Sequence, residues 1–78
     1  MTASEIKQLI AAVLPDAEVV VVGEDGVHFE ARIIDPAFAG KNTVQRHRMV
    51  YAALGDRMGG EIHALSMKTM TPDEWQRG

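Results

Sequence analysis

Two strand-like runs separated by four turn residues place the strongest constraint on what this chain can fold into. Ala17 to Val22 is short, apolar and rich in β-branched residues, the composition of a buried strand. Gly23-Glu24-Asp25-Gly26 follows, and these residue types favour tight turns because they tolerate left-handed backbone or bond to their own main chain. The next run alternates: Val27, Phe29, Ala31 and Ile33 fall on one side, His28, Glu30 and Arg32 on the other. The pattern predicts an antiparallel hairpin with one face against a helical layer and the other toward water or a partner.

Helices supply that layer. Thr2 and Glu5 have the spacing of a capping box, and Ile6, Leu9, Ile10, Val13 and Leu14 then form one apolar stripe, stopped by Pro15-Asp16. After the hairpin, Asp35-Pro36 breaks the strand and Ala37-Phe38-Ala39-Gly40 predicts a turn that carries Phe38 inward, with Gly40 in a conformation that favours glycine. Asn42 or Thr43 can cap a second helix over Val44 to Met58, with Val44, Val50, Leu54 and Met58 on its buried side and Arg46 and Arg48 more exposed. Gly59-Gly60 ends it. Glu61 to Met70 predicts a third strand, with Ile62, Ala64 and Ser66 on one face and His63, Leu65 and Met67 on the other. Thr71-Pro72-Asp73-Glu74 is a second capping box and opens a short helix bearing Trp75. The order α-β-β-α-β-α predicts an α+β domain over residues 1–78: a small three-stranded mixed sheet with helices on one face. Its second and third strands are parallel if adjacent, because a helix joins them.

Composition narrows the chemistry. With 78 residues and no Cys, the chain is one small domain without a disulfide framework, a thiolate metal site or a Cys nucleophile. No apolar run reaches membrane-span length and the N-terminus lacks a basic secretion start, so a cytoplasmic protein with no membrane partner is expected. The net charge of −3 disfavours a general nucleic-acid binder. Charge is uneven, however: Lys41, Arg46, Arg48 and Arg57 face only Asp56 between residues 41 and 57. Ser4 and Ser66 have no base and orienter in the pattern, and Glu24, Asp25 and Glu61 read as surface turn carboxylates, so neither an enzyme nor a small-molecule substrate is indicated.

The stretch Phe38-Ala39-Gly40-Lys41-Asn42-Thr43-Val44-Gln45-Arg46-His47-Arg48-Met49-Val50-Tyr51 resembles the signature of the BolA family, a Phe-x-Gly turn followed by Arg-His-Arg in a helix. Ile62-His63-Ala64-Leu65 and then Thr71-Pro72-Asp73-Glu74-Trp75 resemble its second half. The short hairpin turn and the Thr-Pro-Asp-Glu-Trp ending are closer to the short bacterial, IbaG-like branch.

The resemblance implies a fold similar to class II KH domains and a partnership with a monothiol glutaredoxin. In that partnership a 2Fe-2S cluster is shared with the glutaredoxin and glutathione, and the isolated protein holds none. It also implies a place in iron–sulfur trafficking or in iron and stress sensing. A His at the position of His63 is one ligand in such a pair, and a His or Cys of the hairpin loop is the other. Here Gly23 to Gly26 holds neither, and His28 is the nearest candidate.

From the residues alone His63 reads either as a hydrogen-bonded structural His or as a ligand; the resemblance favours the ligand. His28 stands open between a solvated His and a ligand. His47, between two Arg, reads as a helix residue that packs against the turn around Phe38 or is simply exposed. The family has also been regarded as transcriptional regulators, so Lys41, Arg46 and Arg48 are candidate DNA-phosphate contacts as well as a possible solvated helix face. Met49, Met58, Met67 and Met70 read as core filler, and Trp75 as an anchor for the last helix.

Overall fold

Local hydrogen bonds decide where the helices start. The computed structural model describes residues 1–23, 25–62 and 64–78. Helix α1 (Ala3–Val13) begins where Thr2 Oγ1 accepts the Glu5 amide and Glu5 Oε1 accepts the Thr2 amide, both at 3.1 Å. These bonds satisfy two of the donors that a helix start leaves open. Helix α2 (Thr43–Leu54) repeats the device with Asn42 and Gln45, which makes Asn42 the cap, and helix α3 (Pro72–Arg77) repeats it with Thr71 and Glu74. Along α1, Ile6, Ile10 and Leu14 are buried, whereas Val13 is exposed, so the apolar stripe is narrower than its sequence spacing predicts.

Strands β1 (Glu18–Val22), β2 (His28–Ile34) and β3 (Ala64–Met70) form one sheet in the order β1-β2-β3. β1 and β2 are antiparallel, with Val19 opposite Ile33 and Val21 opposite Ala31. β2 and β3 are parallel, from His28 opposite Ala64 to Ile34 opposite Met70. The mixed sheet and its parallel pair match the expectation. On the inner face Val19, Phe29, Ala31 and Ile33 are buried and join Ile6, Ile10, Phe38, Val50, Leu54 and Ile62 in the core. α1 packs on β1 and α2, and α2 packs on β3.

Gly23 sits where the hairpin closes over Phe29. A Cβ there would overlap the Phe29 ring and lie 2.9 Å from the His28 carbonyl oxygen. Val27, placed on the inner face by alternation, lies in the turn before β2 and is exposed.

Phe38 lies inward as predicted. Asp35 accepts the Ala37 amide at 2.8 Å and starts a single 3₁₀ turn, Pro36–Phe38, that buries the ring completely. Gly40 follows at φ 75°, the left-handed region that favours glycine.

Helix α2 departs from its predicted length. It stops at Leu54 because Gly55 takes φ 58° and ψ −136°, and one 3₁₀ turn, Gly55–Arg57, follows. Val44, expected on the buried side, is exposed in its first turn.

β3 starts at Ala64, not Glu61. Ile62 is fully buried in the core, while Ser66 is exposed and, like Ala64, pairs with outward residues of β2, so Ile62 does not share a face with Ala64 and Ser66 as predicted. The cause is a tight loop ahead of the strand: the Ile62 amide bonds Arg57 O at 2.9 Å, and Ile62 O accepts the Gly59 amide at 2.8 Å. The loop sets Ile62 by its own bonds rather than by the sheet ladder.

Candidate functional site

His28 opens β2 on its outer face, beside the hairpin turn, with its side chain 73% exposed. The turn orients it. Asp25 Oδ1 accepts the amides of Val27 at 2.9 Å and His28 at 2.8 Å, and Asp25 Oδ2 lies 2.7 Å from His28 Nδ1. The bond from the His28 ring, followed by the His28 and Val27 amides, holds the Asp25 carboxyl well below the usual carboxylate range. Val22, Gly23, Asp25, His28 and Glu30 line a shallow depression here. A second hollow on the other side of His28 is lined by Glu30, Tyr51, Met58, Ala64 and Ser66 among others. An exposed, carboxylate-oriented imidazole is a donor that suits iron, so the residues at this edge fit a metal-ligand role.

His63, the first candidate ligand, lies outside the described residues, as does Glu24. Its chain neighbour Ala64 pairs with His28 across the parallel ladder. His47 packs instead of pointing into a site: its ring stands edge-on to Tyr51, centroids 6.5 Å apart.

The basic segment divides. Lys41 and Arg48 are exposed. Arg46 was expected on an exposed face, and the fold corrects this: its side chain is only 12% exposed. Arg46 Nε donates to Lys41 O at 2.8 Å, Nη1 donates to Thr69 O at 3.3 Å and to Glu74 Oε1 at 2.7 Å, and the guanidinium stands 5.8 Å from the Phe38 ring centre. One fork-shaped cation thus joins the Phe38 turn, β3 and α3, using a donor geometry that Lys lacks. The requirement is long-range, Arg46 and Glu74 being 28 positions apart, so helical periodicity carries no trace of it.

The Arg46 guanidinium, then the Thr71 amide, pull the Glu74 carboxyl down from 4.5 to about 2. A lowered folded-state value means stability that is present above the unfolded value and lost as pH falls through the folded one. Glu74→Gln keeps a capping side chain but removes the charge. Its urea midpoint is expected below the parent's at pH 7, with the gap closing as pH falls from about 4.5 toward 2. Parallel urea titrations across that range check this.

Trp75 anchors α3 as expected, through the outer face of the sheet: Arg32 of β2 stacks on its ring at 4.4 Å. Ile34, on the same outer face, is buried where Pro36, Pro72 and Trp75 gather. Asp25, expected as a surface turn carboxylate, belongs to the site through its bond to His28. Its signal was present: an Asp opening a glycine turn bonds its own backbone two residues on, and His28 is three residues on.

Fold and site together define a class: a small α+β domain with an oriented imidazole at the hairpin end of its sheet and an Arg-locked Phe-x-Gly turn. The chain belongs to the BolA family, whose sequence model, described as BolA-like protein, matches residues 7–74. It is 40% identical over 78 residues to an uncharacterized protein from the rpoN-murA intergenic region of Acinetobacter guillouiae, covering 99% of this chain and 93% of that one. It is 42% identical over 50 residues to the DNA-binding transcriptional regulator BolA of Vibrio cholerae, covering 64% of this chain and 47% of that one. A BolA homologue from Coxiella burnetii superposes with a TM-score of 0.86 at 48% identity over 99% of both chains. Among the described residues no helix is long and apolar enough to cross a membrane.

Proposed function

We propose that this chain is an adaptor that binds a monothiol glutaredoxin and shares with it a glutathione-ligated 2Fe-2S cluster, in iron–sulfur trafficking or in iron and stress sensing. His63 and His28 are its ligands. The observation that carries the reading is His28, exposed at the sheet edge and held by a carboxylate through Nδ1. The residue opposite it, Ala64, directly follows His63 in the chain. A neutral imidazole in place of a thiolate raises a cluster's potential and makes its ligation sensitive to protons. The protein works by binding and catalyses no reaction.

Anaerobic reconstitution with a monothiol glutaredoxin and glutathione tests this. His63→Ala and His28→Ala are each expected to change the visible absorption and circular dichroism of the heterodimer. Spectra identical to the parent's would remove the altered residue from the ligand set.

A second reading, a DNA-binding regulator, draws on the exposed Lys41 and Arg48 and on the name of the Vibrio cholerae relative. Two phosphate contacts give a slope of about −1.8 in log affinity against log salt. Binding to labelled duplexes that ignores salt, or that survives Lys41→Ala with Arg48→Ala, rules this reading out.

A further inference from the structure

The hairpin turn is organised around one carboxylate. Asp25 uses Oδ1 to accept two successive backbone amides, Val27 at 2.9 Å and His28 at 2.8 Å, and this fixes the side chain in place. Its Oδ2 is then held 2.7 Å from His28 Nδ1. An aspartate is ionised at neutral pH and can only accept a hydrogen bond, so the proton between them belongs to Nδ1. In the neutral ring the other nitrogen, Nε2, then carries the lone pair, on a side chain that is 73% exposed.

We infer that Asp25 is a positioning residue for His28: it fixes the Nδ1–H tautomer and the ring orientation, so that Nε2 is the atom offered to iron. The inference deepens the proposed function and rests on His28 being a ligand. The physical case does not depend on the metal. An unconstrained neutral imidazole carries its proton on either nitrogen and turns about two side-chain bonds. Here both freedoms are removed before any ligand arrives, by a carboxylate that the turn itself immobilises. Carboxylates that accept the second N–H of a metal-bound His act in this way, setting tautomer and basicity together.

Asp25→Asn is the informative variant. The amide oxygen can keep both backbone caps, which leaves the amide NH₂ facing Nδ1. That group donates, so the proton moves to Nε2 and the ring presents the wrong nitrogen. Long-range ¹H–¹⁵N correlation spectra of the full chain without cluster, at pH 8, are expected to show His28 protonated on Nδ1 in the parent and on Nε2 in Asp25→Asn. A parent His28 protonated on Nε2 overturns the inference outright.

The second readout is cluster retention in the heterodimer with a monothiol glutaredoxin and glutathione, followed by visible circular dichroism under chelator challenge. Asp25→Asn is expected to lose the cluster about 10- to 100-fold more readily than the parent. If His28→Ala loses the cluster while Asp25→Asn retains it like the parent, His28 is a ligand and the positioning role is wrong. If His28→Ala also retains it, the ligand assignment itself fails, and the inference fails with it.

Discussion

Phe38→Ala is expected to lower stability by about 3–5 kcal/mol, the range for deleting a buried aromatic ring. Domains hold about 0.05–0.15 kcal/mol per residue, so one this size has little to spare. The loss is large because the ring is fully buried in the core it shares with Val50 and Leu54 of α2, and Arg46 of the same helix stands over its face. Urea unfolding should show a lower midpoint with an unchanged slope, the signature of lost stability without altered compactness. Phe38→Leu, which restores most of the volume, should recover a good part of it. A Phe38→Ala midpoint equal to the parent's would mean that the turn does not hold the core together.

Ile62→Ala ranks next, at about 2–5 kcal/mol. Ile62 is fully buried and sits in a loop closed by its own amide and carbonyl, bonded to Arg57 and Gly59. Removing its side chain therefore opens a cavity and frees the loop that leads into β3. Ile62→Val keeps most of the contact and should cost only about 0.5–1.5 kcal/mol. Amide exchange separates the two effects: in Ile62→Val the amides of position 62 and Gly59 should exchange faster while those of β2 stay protected. Uniform acceleration across the sheet would show that Ile62 supports the whole core rather than its own loop.

The three capping boxes show why helix starts are legible in a sequence. Each is complete within four residues, and its donors and acceptors are fixed by the residues named: Thr2 with Glu5, Asn42 with Gln45, Thr71 with Glu74. The hairpin is legible for a similar reason, since period-two alternation and a glycine turn are short-range signals. The end of α2 is less so. Gly59-Gly60 is the expected stop, and the left-handed backbone at Gly55 ends the helix earlier.

The candidate site divides the same way. His28 is visible as a polar-face residue at a strand start, and the Asp25 turn that holds it is local enough to have been read. The true roles of Ile62 and Arg46 are not. Alternation through Glu61 to Met70 treats Ile62 as part of a ladder it never joins, and helical spacing treats Arg46 as exposed when Glu74 and Thr69 O hold it in place.

The Phe-x-Gly turn, the Arg-His-Arg helix and the Thr-Pro-Asp-Glu-Trp ending carried the family and the order of elements without any coordinates. Only the tertiary structure separated the three cations of that helix region into one strut, Arg46, and two exposed side chains, Lys41 and Arg48. It alone placed Ala64 opposite His28, by the register of β2 on β3. The reason is physical: caps and alternation are satisfied within a few residues, whereas an ion pair and a strand register depend on where the rest of the chain comes to lie.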